Sequence, residues 1–317
     1  MKYKVEDVKF RGNDSLAVYI QAWVEEQDSS VTVRRIFYAM VTQGHVENTL
    51  AEYRRISDIT VKLRRGGFLD WDLIADDTRQ AYKQPSFGRI EHAVHRAINA
   101  FRYDRWEQQQ YLVQVWVEKR GHVSVLYPVT NRYDVSIVEN GGRRIITPEV
   151  VEPFITAQDR GQTNVILYVG DYDPSGLQMD ENMIAQLEAL GVECTWKRVA
   201  LTAEHLYMYE LPRAYIVETG ASQKWLRQHA NAEVIRTEVV GGVEHKIVNK
   251  LEKDPSAQWF KSRHDGELFQ VEVDALEVPI LRQLVETAIL QHADHDELSR
   301  VEAQEEHDRQ RMREAMP

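Results

Sequence analysis

The run Val165-Ile166-Leu167-Tyr168-Val169-Gly170-Asp171-Tyr172-Asp173-Pro174-Ser175-Gly176 constrains this chain more than any other stretch. Five apolar, β-prone residues lead directly into an Asp-x-Asp pair and then a Pro-Ser-Gly turn. Alternate residues at a strand end can bring two carboxylates to one divalent cation. Hard cations such as Mg²⁺ take oxygen ligands and keep several waters, which suits phosphate chemistry. A second segment has the same form: Leu112-Val113-Gln114-Val115-Trp116-Val117 ends in Glu118-Lys119-Arg120-Gly121. A solvated acidic turn would account for the Asp pair alone, but it leaves the strand-end Glu118 unexplained.

The surrounding pattern predicts an α/β architecture. Residues 1–105 read mainly helical: Ser30 and Thr32 offer caps for a helix from Val33, and Gly44 ends it. A second helix spans about 47–65, with Leu50, Tyr53, Ile56, Ile59 and Leu63 at helical period. A short strand or turn at 68–74 follows, so helix, turn, helix and hairpin-like segment predict a winged-helix-like module. A third helix spans about 88–101. From Tyr111 the period changes to strands at 112–117, 135–138, 165–169 and 192–196 with helices between them. The helix opening at Thr147-Pro148-Glu149 carries Pro at its first position. Such alternation implies a parallel sheet whose ligands sit at the carboxyl ends of the strands. Glu118, Asp171 and Asp173 all fall at such ends. Beyond residue 200, the alternation at 269–273 predicts a strand and 279–290 an amphipathic helix. Eight acids and four Arg from His292 onward predict an exposed helix or a frayed tail. The divisions read 1–105, 106–200, 201–292 and 293–317.

Net charge of −11 excludes an indiscriminately basic coat for nucleic acid. The distribution is uneven, however. Between Val31 and Gly67, Arg34, Arg35, Arg54, Arg55, Lys62, Arg64 and Arg65 face only Glu47, Glu52 and Asp58. That local excess reads either as a DNA-facing surface or as a solvated helix face. The single cysteine, Cys194, excludes an intrachain disulfide and any cysteine-rich metal site. No apolar run is long enough to predict a membrane span, and the N-terminal residues lack a signal-peptide core, so a cytoplasmic protein is expected. The pairs His92/His95 and His292/His295 have helical spacing but no third ligand in sight. No GxxxxGK[ST] loop occurs, so no ATP site is predicted.

A lone Glu after one strand and Asp-x-Asp after a later one resembles the Toprim domain of topoisomerases, bacterial-type primases and some nucleases. With Arg34-Arg35-Ile36-Phe37-Tyr38 upstream, the chain looks like a compact, stand-alone version of the A subunit of DNA topoisomerase VI and its relative, the meiotic double-strand-break transesterase. In that family an Arg-x-x-x-Tyr element ends in an aromatic-Tyr pair, which Phe37-Tyr38 matches. The resemblance implies that Tyr38 is the nucleophile and that Arg34, one turn before it, holds the phosphate or eases loss of the phenolic proton. It implies Mg²⁺ on Asp171 and Asp173, with Mn²⁺ as a substitute, and Glu118 as co-ligand or general acid/base. It further implies double-stranded DNA as partner, with Arg35, Arg54, Arg55, Lys62, Arg64, Arg65 and Lys119 at the DNA. A homodimer follows in which Tyr38 of one protomer serves the metal of the other, and a separate ATPase subunit is a further implied partner. Two rival readings stay open. One is a Toprim nuclease using metal-activated water, with Tyr38 a core residue. The other is a non-catalytic DNA-binding or recombination protein.

Overall fold

The computed structural model describes residues 8–28, 30–75, 86–140, 146–219, 236–240, 243–249 and 254–315. Three helices open it: α1 (Asp14–Glu25), α2 (Val33–Thr42) and α3 (Leu50–Arg65). The Thr32 hydroxyl accepts from the Arg35 N–H and fixes the start of α2. Thr49 does the same for the Glu52 N–H, and for that reason α3 begins at Leu50 rather than near Glu47. Ile20, Ile36, Met40, Ile56, Ile59 and Leu63 form the centre of their common core.

Of the short strand or turn expected at 68–74, the segment after α3 takes the turn. Residues Trp71–Leu73 form a 3-10 turn, and Ile74 makes only an isolated bridge to Val31. Among the described residues no hairpin wing follows α3, and residues 76–85, where the hairpin-like segment would continue, lie outside them. The Arg64 guanidinium stacks 4.4 Å from the centre of the Trp71 ring and donates to its carbonyl at 2.9 Å, which favours a tight turn over an extended strand.

Helix α4 (Ile90–Ala100) precedes the main sheet. That sheet runs β1 (Tyr111–Val117), α5 (Gly121–Arg132), β2 (Ser136–Glu139), α6 (Pro148–Asp159), β3 (Thr163–Val169), α7 (Pro174–Ala189) and β4 (Cys194–Ala200). All its strands are parallel, in the order β2-β1-β3-β4. Parallel strands covered on both faces read as continuous apolar runs, and β1 and β3 do so. Val113, Val115, Val165 and Leu167 share a core with Val125 and Leu126 of α5. Trp116, Ile166 and Tyr168 share another with Phe154, Met183 and Leu187. The chain leaves β1 toward β2 on one side and leaves β3 toward β4 on the other. The crevice between β1 and β3 is therefore the switch point at which open α/β sheets hold ligands.

The remainder is α8 (Ala203–Met208), β5 (Ala214–Thr219), β6 (Arg236–Val240), β7 (Val243–Asn249), α9 (Pro255–Arg263), β8 (Phe269–Gln270), α10 (Val278–Leu290) and α11 (His295–Glu314). A second sheet has the order β6-β7-β5-β8 and is mixed, with β5 and β7 parallel and the outer pairings antiparallel. The strand predicted at 269–273 stops at Gln270. Val271 instead bridges Tyr172, with hydrogen bonds of 2.9 and 3.0 Å in each direction, and a 3-10 turn follows at Val273–Ala275. Leu281, Val285 and Ile289 of α10 join the core beneath β1 and β3. The acidic C-terminal stretch is a docked helix: Glu305 is 0% exposed and held by Arg105 at 2.8 Å and Arg309 at 2.7 Å.

Candidate functional site

Glu118 follows β1, and Asp171 and Asp173 follow β3, two strands in register at Val117 and Val169. Strand pairing thus sets the acidic groups side by side. The Asp171 N–H donates to Glu118 Oε2 at 2.9 Å, which fixes Glu118 against the loop. Asp173 caps α7: its Oδ1 accepts from the Gly176 N–H at 2.6 Å and from the Ser175 hydroxyl at 3.2 Å. A Cβ on Gly176 would lie 2.8 Å from the Asp171 carbonyl oxygen, so only glycine lets α7 start this close to the loop.

Two further acids complete the locus. The Tyr172–Val271 bridge brings the 272–274 segment against the Asp-x-Asp loop, where the Val273 N–H donates to Asp171 Oδ1 at 2.9 Å. Glu272 and Asp274 flank that contact and are both buried. Lys119 Nζ donates to Asp171 Oδ2 at 2.6 Å and to Glu272 Oε2 at 3.2 Å. Arg34 grips Glu272 from the other side, with Nε 2.6 Å from Oε2 and Nη2 on Oε1. Asp274 Oδ2 faces His122 Nε2 at 3.3 Å. Sequence reasoning placed neither Glu272 nor Asp274 at the site. Their Glu-x-Asp alternation repeats the Asp-x-Asp spacing and was the available signal.

The electrostatics follow from crowding. Burial, then the charges of Asp171 and Asp173, push the Glu118 carboxyl up to about 7. Asp171 is also raised, chiefly by burial, against the pull of Lys119. Burial alone would raise Glu272, but the Arg34 hydrogen bonds and the Lys119 charge hold it below the usual carboxylate range. The same balance, set by His122 and Arg35, lowers Asp274. Lys119 is raised despite its burial, by Asp171 and Glu272, and stays a cation.

The structure sorts the predicted residues. Tyr38 is 5% exposed and belongs to the core of the three N-terminal helices. Burial lifts its phenol well above the ordinary range, and the charges of Glu272, Asp171 and Asp274 add to the effect while Arg34 opposes it. Tyr38 therefore lies within electrostatic reach of the acidic cluster of its own chain, whereas the resemblance implied the cluster of a second protomer. Among the described residues no hydrogen bond holds its hydroxyl. Arg34 binds Glu272 and lies 5.1 Å over the Tyr53 ring. Arg35 corrects the DNA-facing expectation: it is 3% exposed, and its Nη1 donates to the Leu276 carbonyl at 3.0 Å. Charge counting registers a cation but not the helix face that carries it inward. Arg55 is spent on Asn13 at 2.8 Å and Glu52 at 2.9 Å, and Arg64 on Trp71. Arg54 and Arg65 are exposed and Lys62 is half-buried.

As a cation site, the locus has an all-oxygen donor set of the kind Mg²⁺ and Mn²⁺ take. Among the described residues no group of three such side chains stands gathered as a ready metal cage, because Lys119 and the Val273 N–H engage Asp171 and Asp173 caps α7. Glu118 Oε1 and Asp173 Oδ2 keep no protein partner among the described residues. Five acids against Arg34, Arg35 and Lys119 leave a formal excess of two negative charges, which one divalent ion would cancel. The donor set fits the ion after a shift of Lys119. Searched against models of known protein families and against curated proteins, the chain matches none.

Proposed function

We propose that this chain is a Toprim-type, divalent-metal-dependent enzyme that cleaves double-stranded DNA by transesterification through Tyr38. The observation that carries the reading is convergence: Arg34 of α2 grips Glu272, whose other cation, Lys119, also holds Asp171 beside Glu118 at the switch point of a parallel sheet, and Tyr38 follows Arg34 by one turn of α2. In this reading the Tyr38 oxygen attacks phosphorus, a phosphotyrosine bond forms, and the bond to a deoxyribose oxygen breaks. Glu118, with its carboxyl near 7, takes the phenolic proton and returns it to the leaving oxygen. Arg34 exchanges Glu272 for a phosphate oxygen, a swap its two-pronged edge can make. Lys119 supplies a second cation to the phosphate once it leaves Asp171. Asp171 and Asp173 would hold Mg²⁺ or Mn²⁺, which would supply charge neutralisation at the phosphate. A homodimer cutting both strands, fed by a separate ATPase subunit, extends the same reading.

A second reading, a hydrolytic nuclease, is favoured by one specific observation. Tyr38 is buried and its proton is held tightly, the opposite of an activated nucleophile. One experiment separates the two. Supercoiled plasmid is incubated with protein and Mg²⁺ or Mn²⁺, quenched with detergent and resolved with and without protease. Transesterification predicts protein-linked ends that Tyr38→Phe abolishes, because the nucleophilic atom is gone. Cleavage by Tyr38→Phe at the wild-type rate overturns it and promotes the nuclease.

A further inference from the structure

Arg198 of β4 spends its whole donor set on the Asp-x-Asp loop and the helix that follows it. A guanidinium carries five N–H groups in a rigid plane. Nη1 donates to the carbonyls of Gly170 at 3.2 Å and Asp171 at 3.1 Å. Nη2 donates to the Gly176 carbonyl at 2.7 Å and to Asp180 Oδ1 at 2.9 Å, and Nε donates to Asp180 Oδ2 at 2.8 Å. The side chain is 10% exposed and lies over the Tyr168 ring, 5.0 Å from its centre.

β4 meets the loop through an irregularity in its pairing. Arg198 pairs with Tyr168 but Ala200 pairs with Val169, so Val199 is one residue more than β3 supplies. Bulges of this kind occur beside functional sites, where they re-aim a side chain. Past the bulge the Gly170 N–H donates to the Ala200 carbonyl at 2.7 Å, and the Leu201 N–H donates to the Gly170 carbonyl at 2.8 Å. The acceptors of Arg198 bracket both acids. The Gly170 and Asp171 carbonyls belong to the peptide groups on either side of Asp171. The Gly176 carbonyl belongs to the first turn of α7, whose Gly176 N–H binds the Asp173 carboxylate at 2.6 Å. Asp180, one turn further on α7, fixes the plane of the fork through two parallel bonds. None of these bonds goes to the Asp171 or Asp173 carboxylate, so the fork braces the two acids without competing for their oxygens. We propose that Arg198 is the positioning residue of the divalent-metal site, and that its fork sets the separation of Asp171 and Asp173 on which metal affinity depends. This role rests on the proposed function, in which Asp171 and Asp173 hold the ion.

The sign of one substitution separates positioning from charge. A cation near the site repels a metal ion, so removing a residue that acted by charge alone would tighten binding. Removing a brace weakens it. Mn²⁺ binding to the full-length chain, without DNA, is read by isothermal titration and by the electron paramagnetic resonance of the bound ion. Arg198→Met should weaken Mn²⁺ binding by about tenfold or more, the range for groups that support metal ligands. Arg198→Lys keeps the charge but lacks the fork, so it should also weaken binding and, like Arg198→Met, alter the spectrum of bound Mn²⁺. Leu187→Ala opens the core about three turns further along α7. It should lower the unfolding midpoint and leave Mn²⁺ affinity and spectrum as in wild type. Wild-type or tighter binding by either Arg198 variant overturns the proposal and leaves the metal site standing. Equal loss of affinity in Leu187→Ala also overturns it, because affinity would then follow stability and not the fork. Wild-type protein that binds no Mn²⁺, or binds it equally after Asp173→Ala, overturns the metal reading and the proposal together. Should Arg198→Met fail to fold, Arg198→Lys decides alone.

Discussion

Glu272→Gln isolates the contact that ties the N-terminal helices to the acidic loop. The substitution keeps side-chain volume and removes one charge from a group 3% exposed. Arg34 loses its anionic partner, and Lys119 keeps only Asp171, at 2.6 Å. Stranding a fully buried cation costs about 3–5 kcal/mol. Arg34 is 38% exposed, however, so water recovers much of that loss. The glutamine oxygen still accepts one hydrogen bond, at neutral strength. A net loss of about 1.5–2.5 kcal/mol results. Urea unfolding followed by circular dichroism reads it as a lower midpoint at unchanged slope. The double variant Arg34→Met with Glu272→Gln removes both charges and should lose less than the two single losses added, by about 1–2 kcal/mol. A single-variant loss below about 0.5 kcal/mol, the scale of an ordinary surface substitution, would refute the claim that this pair fastens α2 to the loop.

Asp171→Asn and Asp173→Ala should each abolish metal-dependent cleavage, and a plasmid assay retaining activity in both removes the metal site. Asp173→Ala should also cost about 1 kcal/mol in thermal unfolding, through loss of the α7 cap. For Glu118, a folded carboxyl near 7 against an unfolded one near 4.3 means that the native state binds the extra proton between those values. Its contribution is therefore fully present below the unfolded value and is lost as pH rises toward 7. Stability measured from pH 4.5 to 7.5 should fall more steeply in wild type than in Glu118→Gln, and parallel curves would contradict this. If Arg54 and Arg65 meet DNA, replacing both with Ala should flatten the salt dependence of affinity by about two units, whereas Arg35→Lys should leave the slope alone.

The sheet and its acidic edge were legible because parallel strands carry uninterrupted apolar runs and turn chemistry marks their ends. Val165 through Gly176 announced strand, carboxylates and helix start together, and Pro148 marked the entry to α6. Burial of the charged residues in the helical region was not legible, whereas that of Ile56, Ile59 and Leu63 was. Arg34 and Arg35 are neighbours in sequence, but successive helix positions point about 100° apart, so one turns to Glu272 and the other into the core. Glu272 was hidden for another reason. Its role depends on an isolated bridge between Val271 and Tyr172, a contact between residues far apart in the chain that no local pattern encodes. The C-terminal helix looked solvated because eight acids are visible in the sequence, whereas Arg105, which neutralises Glu305, lies 200 residues earlier in the chain.

These contacts form one continuous line. The Tyr172–Val271 bridge holds the 272–274 segment against Asp171, and that segment holds α2 through Arg34 and Arg35. Tyr38 rides on the same helix, one turn after Arg34. Its phenol cannot meet a phosphate while it stays enclosed, and α2 cannot turn it outward without parting Arg34 from Glu272. Under the proposed function, DNA would offer Arg34 a phosphate in exchange for that carboxylate, and the ligand that requires the opening would offset its cost. Under the proposed function, Glu272→Gln should therefore make Tyr38 easier to reach even as it lowers stability. A Tyr38 fluorescence or nitration signal that is as protected in Glu272→Gln as in wild type would show that the pair does not guard it.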